Sequence, residues 1–190
     1  MDKRSAHVGR NEDRAEAGQE PEWEVVHKTA FFDASAIVKL VLPEPGSLRV
    51  STVLAECHYA HTSWVLIAEA LGCLKRKWQS KKPEDHISED AYRKATLQLL
   101  LYVEIETLRA VDVRDGAHGP RLVGYFQDVL TIRQRHPTLD VADALQFRAI
   151  KEGLLRHLAG VSQPRLVSSD RKLLRAAELE GILTIDVRSD

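Results

Sequence analysis

The chain has 190 residues, with 27 Lys and Arg against 28 Asp and Glu and 44% hydrophobic residues, the proportions of one ordinary globular domain. It contains no run of 18 apolar residues, which excludes a membrane-spanning helix, and its first 24 residues lack the apolar stretch of a secretory signal. A cytoplasmic protein with no membrane partner is expected.

Residues 1–24 carry seven acidic and four basic side chains, a net of −3, so the rest of the chain carries +2. A generic nucleic-acid binder would be far more basic, so any action on nucleic acid must come from a local site. Short of aliphatics, this leader reads as a disordered extension, or as a misassigned start with translation beginning at Val25 or Val26. The folded domain is expected over 25–190.

In chain order, TAFF predicts a short buried strand ending at Asp33, and ASAIVKLVL a helix stopped by Pro43. PEPGS reads as a loop and SLRVSTVLAEC as a second helix. A strand around Tyr59–Thr62 precedes Ser63, a good N-cap for a long helix through Trp78. KKPEDHIS is a polar turn before a helix over roughly Glu89–Tyr102. ETLRAVDV predicts a strand, and Gly116 and Gly119 flank a loop. A helix from about Pro120 to Arg135 is broken by His136-Pro137, and another runs from near Asp140 to Gly153. PRLVSS, DRKLLRAAELE and GILTIDV complete the pattern as strand, helix and strand. This alternation predicts a parallel sheet with helices on its faces.

Cys57 and Cys73 are too few for a disulfide scaffold and form no CxxC pair, so reduced, buried thiols are expected. The His58/His61 pair reads as incidental, and no zinc site is expected.

Ligands of open α/β sheets gather at the carboxyl ends of the strands, where Asp33 and Asp170 fall. Both also directly precede helices, where Asp is a favoured N-cap. Asp140 and Asp143 have the spacing of a capping box, yet Asp143 shares its helical face with Phe147, Ile150 and Leu154, which turns the carboxylate inward. Glu69 is too far into its helix to cap it. It lies at the edge of an apolar arc of Leu66, Ile67, Ala70, Leu71, Cys73, Leu74 and Trp78. Gly72, about 1 kcal/mol worse than Ala in a helix, suggests that something approaches closely there. Four carboxylates in one pocket need a counter-ion. The chemistry that uses such a cluster is hard-cation binding by oxygen ligands, with the cation activating water against a phosphodiester. Arg76, Arg148, Arg171 and Lys172 are candidate phosphate contacts.

FFDASAIVKLVLPEPGS, WVLIAEALGCLKRK, LDVADALQFRAI and RLVSSDRKLLRAAELEGI resemble, in order and spacing, the motifs of PIN-domain nucleases, and in particular VapC-type toxins of toxin–antitoxin pairs. The likeness spans roughly Lys28 to Val187. It implies a three-layer α/β/α fold with a central, mainly parallel sheet, and an acidic quartet that binds Mg²⁺ or Mn²⁺ and cleaves RNA. The quartet carries over to Asp33, Glu69, Asp143 and Asp170, with Asp140 as an auxiliary ligand. Ser35 and Ser168 match hydroxyl positions. The resemblance also implies a cognate antitoxin and a homodimer, for which the apolar helices at Ile37–Leu42 and Leu97–Val103 are the candidate surfaces. The leader departs from the family pattern, and Lys81–Glu106 transfers no specific contact.

Three alternatives have weaker sequence support. A haloacid-dehalogenase-type phosphatase requires a second Asp where Ser35 stands, and a late acidic loop that is missing. A response-regulator receiver fits poorly. A degenerate PIN domain that only binds RNA or protein would be favoured by loss of an acid, and all four are present.

Overall fold

The computed structural model describes residues 28–111, 122–152 and 163–190, excluding the side chains of 111, 122–126 and 152. The leader, the Gly116–Gly119 loop and the helix end at Gly153 with Leu154 lie outside the described residues.

All four residues of β1 (Thr29–Phe32) are buried, as a strand covered on both faces requires. It pairs in parallel with β2 (Tyr59–Ser63) on one side and β4 (Arg165–Ser168) on the other, with Phe31 opposite His61 and Leu166. β3 (Arg109–Val111) and β5 (Leu183–Asp186) form the edges, giving a five-stranded parallel sheet in the order β3-β2-β1-β4-β5. With the seven helices found among the described residues packed around it, the fold is a three-layer α/β/α sandwich. The chain leaves β1 for β2 on one side and later returns to β4 on the other. The carboxyl ends of β1 and β4 therefore form the topological switch point, the crevice where such sheets bind ligands.

Helix α1 (Ala34–Val41) follows β1, and Ala34, Ala36, Ile37, Val38, Leu40 and Val41 are all buried. Only Ser35 and Lys39, one turn apart, keep partial exposure, so all the apolar side chains of the helix lie inside the core. This corrects the expectation of a dimer surface over Ile37–Leu42, because the apolar surplus is consumed by the domain's own interior.

Helix α2 (Ser47–Glu56) starts after Gly46, whose φ of 90° and closeness to the Val187 carbonyl (1.9 Å from an added Cβ) admit only glycine. Gly46 offers no side-chain cap, and the Asp190 carboxylate takes that place, accepting from the Leu48 and Arg49 amides at 3.0 and 3.3 Å. Helix α3 (Trp64–Trp78) is capped by Ser63, and its Trp78 ring stacks on Tyr92 of α4 (Glu89–Glu104) at 5.0 Å. On α4, Leu97, Leu100 and Leu101 are exposed.

Helices α5 (Leu122–Arg135) and α6 (Val141–Glu152) are tied by the Arg148–Asp128 ion pair at 3.0 Å. Helix α7 (Arg171–Leu179) ends in a Schellman turn: Gly181 has φ 73°, its amide donates to the Glu178 carbonyl, and the Ile182 amide donates to the Ala177 carbonyl. Beside that turn, the Glu180 side chain (8% exposed) accepts from Arg135, His136 and Lys151 at 2.7–3.0 Å. Among the described residues no helix is long and apolar enough to cross a membrane.

Candidate active site

At the switch point the chain turns from β1 into α1 at Asp33, which is 6% exposed. Its carboxylate does cap α1, accepting from the Ser35 amide at 3.2 Å, but capping is a small part of its bonding. Oδ2 also accepts from the Ser35 hydroxyl at 2.7 Å and the Ser168 hydroxyl at 2.9 Å. The two hydroxyls sit 3.2 Å apart and are themselves held, Ser35 by the Ser169 amide and Ser168 by the Asp170 amide. Both expected hydroxyl residues therefore join the end of β1 to the end of β4. The Asp33 amide reinforces that junction by donating to the Val167 carbonyl.

Asp170 caps α7, its Oδ1 accepting from the Lys172 and Leu173 amides at 2.7 and 3.2 Å, while the residue stays exposed. Asp140 and Asp143 do form a reciprocal capping box: the Asp143 amide donates to Asp140 Oδ1 at 2.9 Å, and the Asp140 amide to Asp143 Oδ2 at 3.2 Å. Asp143 is also only partly exposed and under strong electrostatic stress. Burial pushes its carboxyl up to about 7, the Asp140 charge adds to this, and Asp33 and Asp170 contribute further; the Asp140 amide opposes them.

Glu69, on the exposed side of α3, is raised by partial burial and by the charges of Asp33 and Asp140, with Arg76 pulling the other way. Asp143 and Glu69 are thus both raised by burial and by the charges of neighbouring acids, as like charges held near one another require. Among the described residues, however, no three of the His, Cys, Asp and Glu side chains converge closely enough to form a ready-made metal cage. The donor set is oxygen only, which suits a hard divalent cation that keeps part of its water shell rather than a fully caged soft metal.

One residue of this site escaped the sequence reading. Gln146 of α6 is 1% exposed and donates from Nε2 to Asp33 Oδ1 at 3.0 Å. Its position, one turn after Asp143 and between the buried Ala144 and Phe147, was a readable signal: an amide on a helical face otherwise bound for the core.

Gly72 needs a different explanation from the one its helical cost suggested. A Cβ there would meet, among the described residues, only the far end of the Arg76 side chain, at an ordinary contact distance of 3.4 Å. The basic candidates are scattered. Arg76 donates to the Cys73 sulfur at 2.7 Å and, with Lys77, Lys81 and Lys82, lines a groove at the end of α3. Arg148 is paired with Asp128 on α5. Arg171 and Lys172 are exposed in the first turn of α7, where the helix dipole disfavours cations.

Cys57 and Cys73 are free and half-buried rather than buried, with thiols pushed up by burial. His58 accepts from the Lys28 amide at 3.0 Å. His61 is buried in β2 with neither ring nitrogen paired among the described residues, and burial, with the charge of Arg109, lowers it to about 4. No family model matches the chain, and no curated protein matches it.

Proposed function

We propose that this chain is a Mg²⁺- or Mn²⁺-dependent endoribonuclease of the PIN-domain kind. A single observation carries the reading: at the crevice between β1 and β4, burial and the charges of Asp140, Asp33 and Asp170 drive the Asp143 carboxyl up to about 7. On α3, burial and the charges of Asp33 and Asp140 raise Glu69 as well. Asp33, Asp143, Glu69 and Asp170 would hold the ion, with Asp140 in support. When bound, the ion activates water and offsets charge on a phosphoryl group.

The chain's own residues perform the remaining work. Ser35 and Ser168 fix the Asp33 carboxylate at the buried end of β1. Arg76 with the lysines of its groove, and the exposed Arg171 and Lys172 of the first turn of α7, offer separate phosphate contacts for an RNA strand. A cytoplasmic toxin restrained by a cognate antitoxin is the biological setting this reading implies. The exposed Leu97, Leu100 and Leu101 are the remaining candidate surface for a homodimer.

Purified protein should cleave RNA with Mn²⁺ or Mg²⁺ and stop in EDTA, with Asp143→Asn inactive. Full activity in chelator would overturn the metal reading. Expression in a bacterial host should arrest growth and the Asp33→Ala form should not; harmless expression of protein active in vitro would remove the toxin role alone.

A further inference from the structure

We propose that Gln146 is a positioning residue that aims the Asp33 carboxylate at the cation and accepts a hydrogen bond from a water of the cation's shell. This rests on the metal-dependent reading above. A carboxylate offers about four lone-pair sites, two on each oxygen. Asp33 Oδ2 already receives three donors, from the Ser35 amide, the Ser35 hydroxyl and the Ser168 hydroxyl. Oδ1 receives one, the Gln146 amide nitrogen at 3.0 Å. The Oδ1 lone pair that Gln146 leaves is therefore the site at which this buried carboxylate can reach an ion.

The orientation of the Gln146 amide follows from its surroundings. With its oxygen turned toward Asp33, two electron-rich oxygens would face each other without a proton between them, so the nitrogen must face Oδ1. That leaves Oε1, buried and without a partner among the described residues. A sealed, unmatched carbonyl is a standing cost, and an apolar side chain of the same length would remove it. The cost is lifted once a donor arrives beside Asp33 Oδ1, and the waters that a hard cation retains are such donors. Gln146 also lies on α6 one turn from Asp143, so a single helix orients one proposed ligand and supplies another.

The test is Mn²⁺ binding to the full chain, read from the electron paramagnetic resonance signal of the free ion, beside melting curves in EDTA. Gln146→Met keeps the length of the side chain and removes both polar atoms. Its affinity for Mn²⁺ should fall by about 10- to 100-fold, the usual effect of losing a residue that orients a metal ligand, while the ion-free protein still melts cooperatively. A merely structural role would move the melting curve and leave the affinity of the folded protein alone. Affinity within about twofold of the parent would therefore overturn the proposal. If the Met form does not fold, Gln146→Asn decides by the same criterion, since its amide is too short to reach Asp33. Absence of Mn²⁺ binding by the parent chain would sink the metal reading and this inference together. Binding by the parent that Gln146 variants share would sink this inference only.

Discussion

Two partly buried carboxylates in this chain have opposite fates. Asp143 lies among acids and is pushed up to about 7, by burial first and then by Asp140, Asp33 and Asp170. Glu180 is also raised by burial, but hydrogen bonds from Arg135, Lys151 and His136 outweigh it and hold the carboxyl at about 2. Burial is common to both, so the neighbours decide. Glu180 is a closed account of charge that ties α5, α6 and the end of α7 together. Asp143 is left open, and an open site of one sign is where an added ion has most to gain.

The sharpest break of that contrast is at its acidic pole. Asp33→Asn should lower Mn²⁺-dependent RNA cleavage by about 100-fold or more, beyond the usual loss from a merely orienting residue, measured as initial rates on a labelled RNA. At the other pole, Glu180→Gln should destabilise the fold by roughly 1.5–3 kcal/mol, the worth of hydrogen bonds to charged groups. Urea melts check this, and RNA cleavage per folded molecule should not change.

Proton linkage sharpens the comparison further. Asp143 holds its proton up to about 7 in the folded chain but loses it near 4 when unfolded, so its contribution is present at low pH and is lost as pH rises through 7. Glu180 runs the other way: its contribution is present above the unfolded value and is lost as pH falls toward 2. In EDTA, Asp143→Asn should therefore melt higher than the parent by a margin that grows from about pH 4 to about pH 7 and levels off above it, and Mn²⁺ should close the gap. The Asn side chain keeps an oxygen for the Asp140 amide, so the capping box survives. A lower melting point at every pH would mean that the capping role outweighs the repulsion. Smallest of all, Gly72→Ala should stabilise the protein by about 0.5–1 kcal/mol, because a helical glycine with free space beside it contributes only backbone entropy.

Local chemistry was the legible part of the sequence. The strand and helix alternation and the Ser63 cap were readable because each depends on a few neighbouring residues, whereas Gly181, read as the start of the last strand, instead closes the turn after α7. The positions of Asp33 and Asp170 at strand ends followed from the same periodicity. What stayed hidden depends on residues far apart. The Glu180 cluster joins positions 135, 136, 151 and 180, and no spacing rule connects them. The burial of α1 could not be separated from a dimer surface, since apolar richness reports burial without saying by what. Gln146 was passed over because a lone amide carries no charge to draw the eye, although its place in an apolar face marked it.

The Asp190 carboxylate that completes the first turn of α2 has a consequence for the order of synthesis. The amides of Leu48 and Arg49 leave the ribosome 142 and 141 residues before the side chain that caps them. Until residue 187 is added the start of α2 lacks the Val187 carbonyl beside Gly46, and until residue 190 is added it lacks that cap. This corner of the domain is therefore sealed late, by strand β5 and the residues after it, and a nascent chain halted before that point holds its second helix with an unfinished end.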